Sequence, residues 1–139
     1  LKWAGANNPI WIINKNRTGW PEGTLMLNKD KHGIEIKGDI QPIGKGDYLS
    51  GFKTHVISLE QGDTIYLFTD GYKDQFGGEN MPNSKSGGKK FKASRLKELL
   101  LSLQDKNMNQ QKEILNDVFE KWKGSMEQID DVCIIGVKI

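Results

Sequence analysis

The chain has one cysteine, Cys133, so no internal disulfide is available to staple it. That thiol sits in an apolar run and is expected to be buried and unreactive, in a reducing compartment on the cytoplasmic side. Only two histidines occur, His32 and His55, and neither lies at ligand spacing to the other or to the cysteine, which excludes the common histidine and cysteine zinc patterns. They read as surface or strand histidines. No apolar run approaches the roughly 20 residues that span a bilayer, and no signal-like amino terminus is present. An excess of one charge is also missing: 20 basic against 18 acidic residues give a formal +2, too balanced to point to nucleic acid or a membrane surface.

At 139 residues the length fits a single domain, residues 1–139, with a modest apolar share of 36%. Two runs rich in β-branched and aromatic residues predict strands, Thr64 to Thr69 and Val132 to Val137. Both are expected to be fully or half buried. Each carries carboxylates at one end: Phe68-Thr69-Asp70-Gly71-Tyr72 follows the first, and Asp130-Asp131 precedes the second. Hard divalent cations prefer carboxylate and water oxygens gathered from segments distant in sequence, so neighbouring strands would bring these clusters together. The blander reading is a turn dipeptide, Asp70-Gly71, and a solvated double Asp; for either cluster alone it is the stronger one.

Elsewhere the pattern predicts a hairpin from Leu1–Ala4 through Gly5-Ala6-Asn7-Asn8-Pro9 to Ile10–Asn14, a short strand within Thr24–Asn28, and an edge strand at Ile34–Lys37. A second hairpin is expected from His55–Leu59 through Glu60-Gln61-Gly62-Asp63 into the Thr64 strand, delivering Asp70 to a sheet edge. Residues 72–93 read as a mobile Gly, Ser, Asn and Lys-rich loop. Ser94 is placed to cap a helix with Leu96, Leu99, Leu100 and Leu103 on one face. A second helix carries Ile114, Leu115, Val118, Phe119 and Trp122 and ends at Gly124. These stripes, like the scattered Trp3, Trp11 and Trp20, are assigned to packing.

The order of these motifs resembles the later part of the SpoIIE-type serine/threonine phosphatase domain, a branch of the metal-dependent PPM class. Phe68-Thr69-Asp70-Gly71 and Asp130-Asp131-Val132-Cys133-Ile134-Ile135 carry the resemblance, with Ala4-Gly5-Ala6-Asn7-Asn8-Pro9, Pro42-Ile43-Gly44 and Gly62-Asp63 in the expected order. The resemblance implies an α+β fold, a mostly antiparallel sheet or partial sandwich with two helices packed on one face. It implies Asp70 and Asp130 as catalytic metal ligands, Gly71 as the residue allowing close approach to the ions, and Asp131 as a ligand to metal or to its water. The implied cofactor is a pair of Mn²⁺ or Mg²⁺ ions about 4 Å apart that activate a water against a phosphoester. The implied partner is a bacterial signalling phosphoprotein such as an anti-sigma-factor antagonist; Lys85, Lys89, Lys90 and Lys92 offer charge to its phosphate, but a solvated, flexible loop is the stronger reading of them. The family's first metal motif has no counterpart here, so a truncated domain, weak or inactive alone, is expected, with free strand edges open to dimerisation. The competing reading is a catalytically silent protein-interaction module.

Overall fold

The computed structural model describes residues 1–22, 24–44, 50–78 and 88–139, in an α+β arrangement of nine strands and three helices among those residues. The chain divides into two compact units, Leu1–Phe68 with Ile135–Ile139, and Thr69–Ile134.

The first unit is built on a five-stranded sheet in the order β3-β4-β2-β6-β9. These strands are β3 (Leu25–Met26), β4 (Gly33–Ile36), β2 (Ile10–Ile13), β6 (Thr64–Phe68) and β9 (Ile134–Lys138). β2 is the central strand because both of its faces are apolar: Ile10, Trp11, Ile12 and Ile13 are all buried. It pairs antiparallel with β4 on one side, Ile12 opposite Ile34, and with β6 on the other, Ile12 opposite Ile65. Opposed isoleucines share a face of the sheet, and Ile10, Ile12, Ile34, Ile36, Ile57 and Ile65 form one core cluster. Each such side chain contributes roughly 1.5–3 kcal/mol by leaving water.

Sequence pattern located these strands better than it paired them. β1 (Lys2–Trp3) pairs with β5 (His55–Val56), Trp3 opposite His55, so the residues before Gly5 do not form a hairpin with β2, nor β5 with β6. The rings of Trp3 and His55 meet at a tilt with centroids 5.6 Å apart, a cross-strand contact that alternation alone does not specify. β4 is interior rather than an edge strand, and its one polar residue is tolerated because Glu35 accepts the indole N–H of Trp11 at 3.2 Å. The turn before β6 is held by Asp63, which is fully buried. Its carboxylate takes Arg17 Nη1 at 2.6 Å, Asn14 Nδ2 at 3.0 Å and the Glu60 backbone N–H at 2.9 Å.

β9 also departs from expectation. It is the last strand of the sheet, and Cys133, Ile135 and Val137 are exposed rather than buried. An apolar run in a terminal strand has no neighbour on one side, so composition named the strand but not its burial.

The second unit contains α1 (Gly71–Asp74), the antiparallel pair β7 (Phe76–Gly77) and β8 (Lys89–Lys90), α2 (Ala93–Ser102) and α3 (Met108–Lys123). Regular structure thus occupies ground read as loop, while Lys85 lies outside the described residues. Its core is aromatic: Tyr72 meets Phe91 edge-on at 5.1 Å and Phe119 at 5.0 Å, and Phe91 meets Trp122 edge-on at 5.4 Å. Leu96, Leu100 and Leu115 are buried from the predicted helix stripes. α2 starts one residue before Ser94, after Lys92 at φ 77°, with no side-chain cap. α3 has a reciprocal box in which Asn107 accepts from the Gln110 backbone and Gln110 from the Asn107 backbone. It ends at Gly124, as its φ of 58° requires.

Candidate metal centre

β6 ends at Phe68, and two residues, Thr69 and Asp70, lead the chain into α1. Asp70 holds the position before that helix but makes no side-chain cap bond. Its carboxylate is exposed while only its backbone carbonyl is engaged, accepting from the Asp74 N–H at 3.0 Å. A residue type favoured for capping that does not cap leaves its charge available to something else.

The second acidic segment is fixed beside the first by Thr69. Its backbone N–H donates to the Cys133 carbonyl at 3.0 Å, its hydroxyl donates to the Asp131 carbonyl at 2.8 Å, and that hydroxyl accepts the Cys133 N–H at 2.9 Å. Three bonds through one residue lock the register between the two segments. Gly71 completes the approach: a Cβ there would stand 2.4 Å from the Asp131 carbonyl oxygen and 3.2 Å from that of Asp130. No side chain fits, so glycine is required by backbone contact. Its φ is not in the left-handed range.

Asp130 and Asp131 are exposed. Asp130 Oδ1 accepts the Asp131 N–H at 2.7 Å, and Gln128 Nε2 donates to the Asp130 carbonyl at 2.8 Å, so this loop is ordered by its own polar groups. The expectation that neighbouring strands bring the two clusters together is met at the level of backbone, through β6 beside β9 and Gly71 against Asp131. The donors, exposed carboxylates, have the chemistry a hard cation takes. Their number does not suffice: among the described residues no three His, Cys, Asp or Glu side chains converge as a metal site would require. What the described residues show is two exposed acidic segments held side by side through their backbones.

Sequence reasoning passed over two neighbours. Asp74, one helical turn after Asp70, is engaged by Lys73 Nζ at 3.0 Å and Lys90 Nζ at 3.3 Å. The hydrogen bond from Lys73 chiefly, with that from Lys90, holds its carboxyl below the usual range. Lys90 is thus drawn to a carboxylate of its own unit. Tyr72 is buried and donates its hydroxyl to the Leu115 carbonyl at 2.8 Å; burial pushes the phenol far above its ordinary pKa, so it remains a neutral donor anchoring α1 to α3. Both histidines lie in the first unit, His55 against Trp3 and His32 beside Asn28.

The α+β fold is similar to that of the SiaA-PP2C domain of Pseudomonas aeruginosa, with a TM-score of 0.74 over 99% of this chain at 24% identity. The chain belongs to the SpoIIE family, whose model, stage II sporulation protein E, matches residues 16–139. It spans 46% of the SiaA domain structure, about half its length. A comparison with curated proteins gives no match.

Proposed function

We propose that the protein carrying this chain is a metal-dependent phosphatase that hydrolyses phosphoserine or phosphothreonine on a signalling phosphoprotein, with Asp70 and Asp130 as ligands of Mn²⁺ or Mg²⁺. The observation that supports it most is the Thr69 clamp, which sets the Asp130–Asp131 backbone against Gly71 beside an uncapped, exposed Asp70. A bound divalent cation would supply an activated water and neutralise phosphoryl charge. The chain's own residues orient the ligands: Thr69 fixes the register, Gly71 permits the close approach, and Asp131 stands ready to bind the ion or its water. No nucleophilic side chain is needed.

With fewer than three converging donors among the described residues, the chain alone holds the cation weakly and turns over slowly. An anti-sigma-factor antagonist is the substrate class we favour, in the cytoplasm. No helix among the described residues is long and apolar enough to cross a membrane. The test is phosphopeptide hydrolysis by the full-length protein in Mn²⁺, with Asp70→Asn and Asp130→Asn. We expect each substitution to remove activity, and full activity in excess chelator would refute the assignment.

A second reading, a protein-association module, draws on β9. Ile135 is 52% and Val137 47% exposed on the terminal strand of the sheet, an arrangement that favours pairing with a second copy. Light scattering at high concentration decides it: a dimer dispersed by Ile135→Lys supports association through β9, and a monomer excludes it.

A further inference from the structure

The helix stripes assigned to packing do not all go into the core. Leu99 and Val118 are only half-buried, and they face an open groove of about 600 Å³ within the second unit. On α2 the groove is lined by Arg95, Glu98, Leu99 and Ser102, and on α3 by Val118, Lys121 and Trp122, with Lys123 at the end of that helix. Both sets follow the three- and four-residue spacing of a single helix face, so the groove runs between two helical ridges.

Its floor is preformed. Trp122 donates its indole N–H to the Gln75 carbonyl at 3.1 Å, packs edge-on against Phe91, and has Gly78 so close that a Cβ there would lie 2.8 Å from the ring. A floor already fixed costs little ordering on binding.

Charge at the rim is uneven. The Arg95 guanidinium lies over the Trp122 ring at 4.2 Å, which uses its face and leaves its N–H edge to meet a carboxylate. Among the described residues neither Arg95 nor Lys121 has a carboxylate within ion-pair distance, whereas Lys123 is held by Glu120 at 2.7 Å. Glu98 is the one acid among the lining residues and does not balance them.

We propose that this groove docks an acidic amphipathic helix of a partner protein, its aliphatic face on Leu99, Val118 and Trp122 and its carboxylates against Arg95 and Lys121. From Arg95 to Ser102 the lining spans eight residues, roughly 10 Å of helix, room for about two turns of the guest. The site goes beyond the phosphatase reading, and its test needs neither metal nor turnover.

The probe is a fluorescein-labelled peptide of leucine and glutamate at amphipathic helical spacing, compared by anisotropy with the same peptide carrying lysine for glutamate. We expect the acidic peptide to bind about tenfold or more tightly than its basic counterpart, and to weaken at high salt. The double substitution Arg95→Glu with Lys121→Glu, at exposed positions, should lower that affinity about tenfold, and Val118→Glu should do so independently, with unchanged circular dichroism in both. Equal binding of the two peptides, indifference to the charge reversal, or no binding at all overturns the proposal. So does preference for phosphatidylserine vesicles over the peptide, which would assign the cations to a lipid surface.

Discussion

Asp63 and Asp70 are seven residues apart, one at each end of β6, and each is joined to a glycine in the sequence. Asp63 is fully buried, with Arg17, Asn14 and the Glu60 backbone converging on its carboxylate. Asp70 is exposed, and its carboxylate makes no cap bond to the helix that it precedes. A buried carboxylate with both oxygens engaged is spent on the fold. One held at a fixed place with its charge unspent is available for chemistry, and Asp70 is such a carboxylate, beside the Asp130–Asp131 backbone that Thr69 and Gly71 hold in place.

The largest effect should come from breaking the spent member. Asp63→Asn leaves the guanidinium of Arg17, only 5% exposed, without its closest partner, and is expected to cost about 3 kcal/mol, read from the urea midpoint. Glu60, 3.2 Å away, keeps the loss toward the lower end for a buried pair.

Next is Gly71→Ala, which drives a Cβ against the Asp131 carbonyl and is expected to cost about 1–3 kcal/mol. Amide resonances of Thr69 and Cys133 should move with it. A neutral outcome would mean that the two acidic segments are not held in register by this contact.

Asp70→Asn should do the opposite of Asp63→Asn: a change in stability within about 0.5 kcal/mol, with loss of any response to Mn²⁺. A large destabilisation would place Asp70 with Asp63 among structural carboxylates and erase the contrast.

The smallest effect belongs to Asp74, whose carboxyl is held below its ordinary value by Lys73 and then Lys90. Its folded pKa is depressed, so its contribution is present above the unfolded carboxylate pKa of about 3.9 and is lost as pH falls through the lower folded value. The Asp74 side chain is 32% exposed and its partners stand at the surface, so this slope should be slight and should fade in high salt. Comparing acid titrations with Asp74→Asn isolates it.

Much of this contrast is illegible in sequence. Asp63 and Asp70 stand in similar local settings, and only tertiary contacts from Arg17 and Asn14 separate them. The strand runs β2, β6 and β9 are visible because β-branched and aromatic residues cluster there, whereas the adjacency of β6 and β9 entered only as the condition under which the acidic clusters meet. Pairing of β1 with β5 was not visible, since a two-residue strand carries no register signal and a Trp–His contact decides it. The four residues of α1 are too few to show a helical period, and exposure of Cys133 depends on β9 being the terminal strand. The Asn107 and Gln110 box, by contrast, was legible as a spacing and was missed.

The most direct test is paramagnetic line broadening of backbone amides on titration with Mn²⁺. The account requires broadening centred on Asp70, Gly71, Asp130 and Asp131, reduced together by Asp70→Asn or Asp130→Asn and leaving Asp63 and its partners sharp. Broadening centred elsewhere, or none at millimolar Mn²⁺, would contradict the assignment of these carboxylates to one cation site.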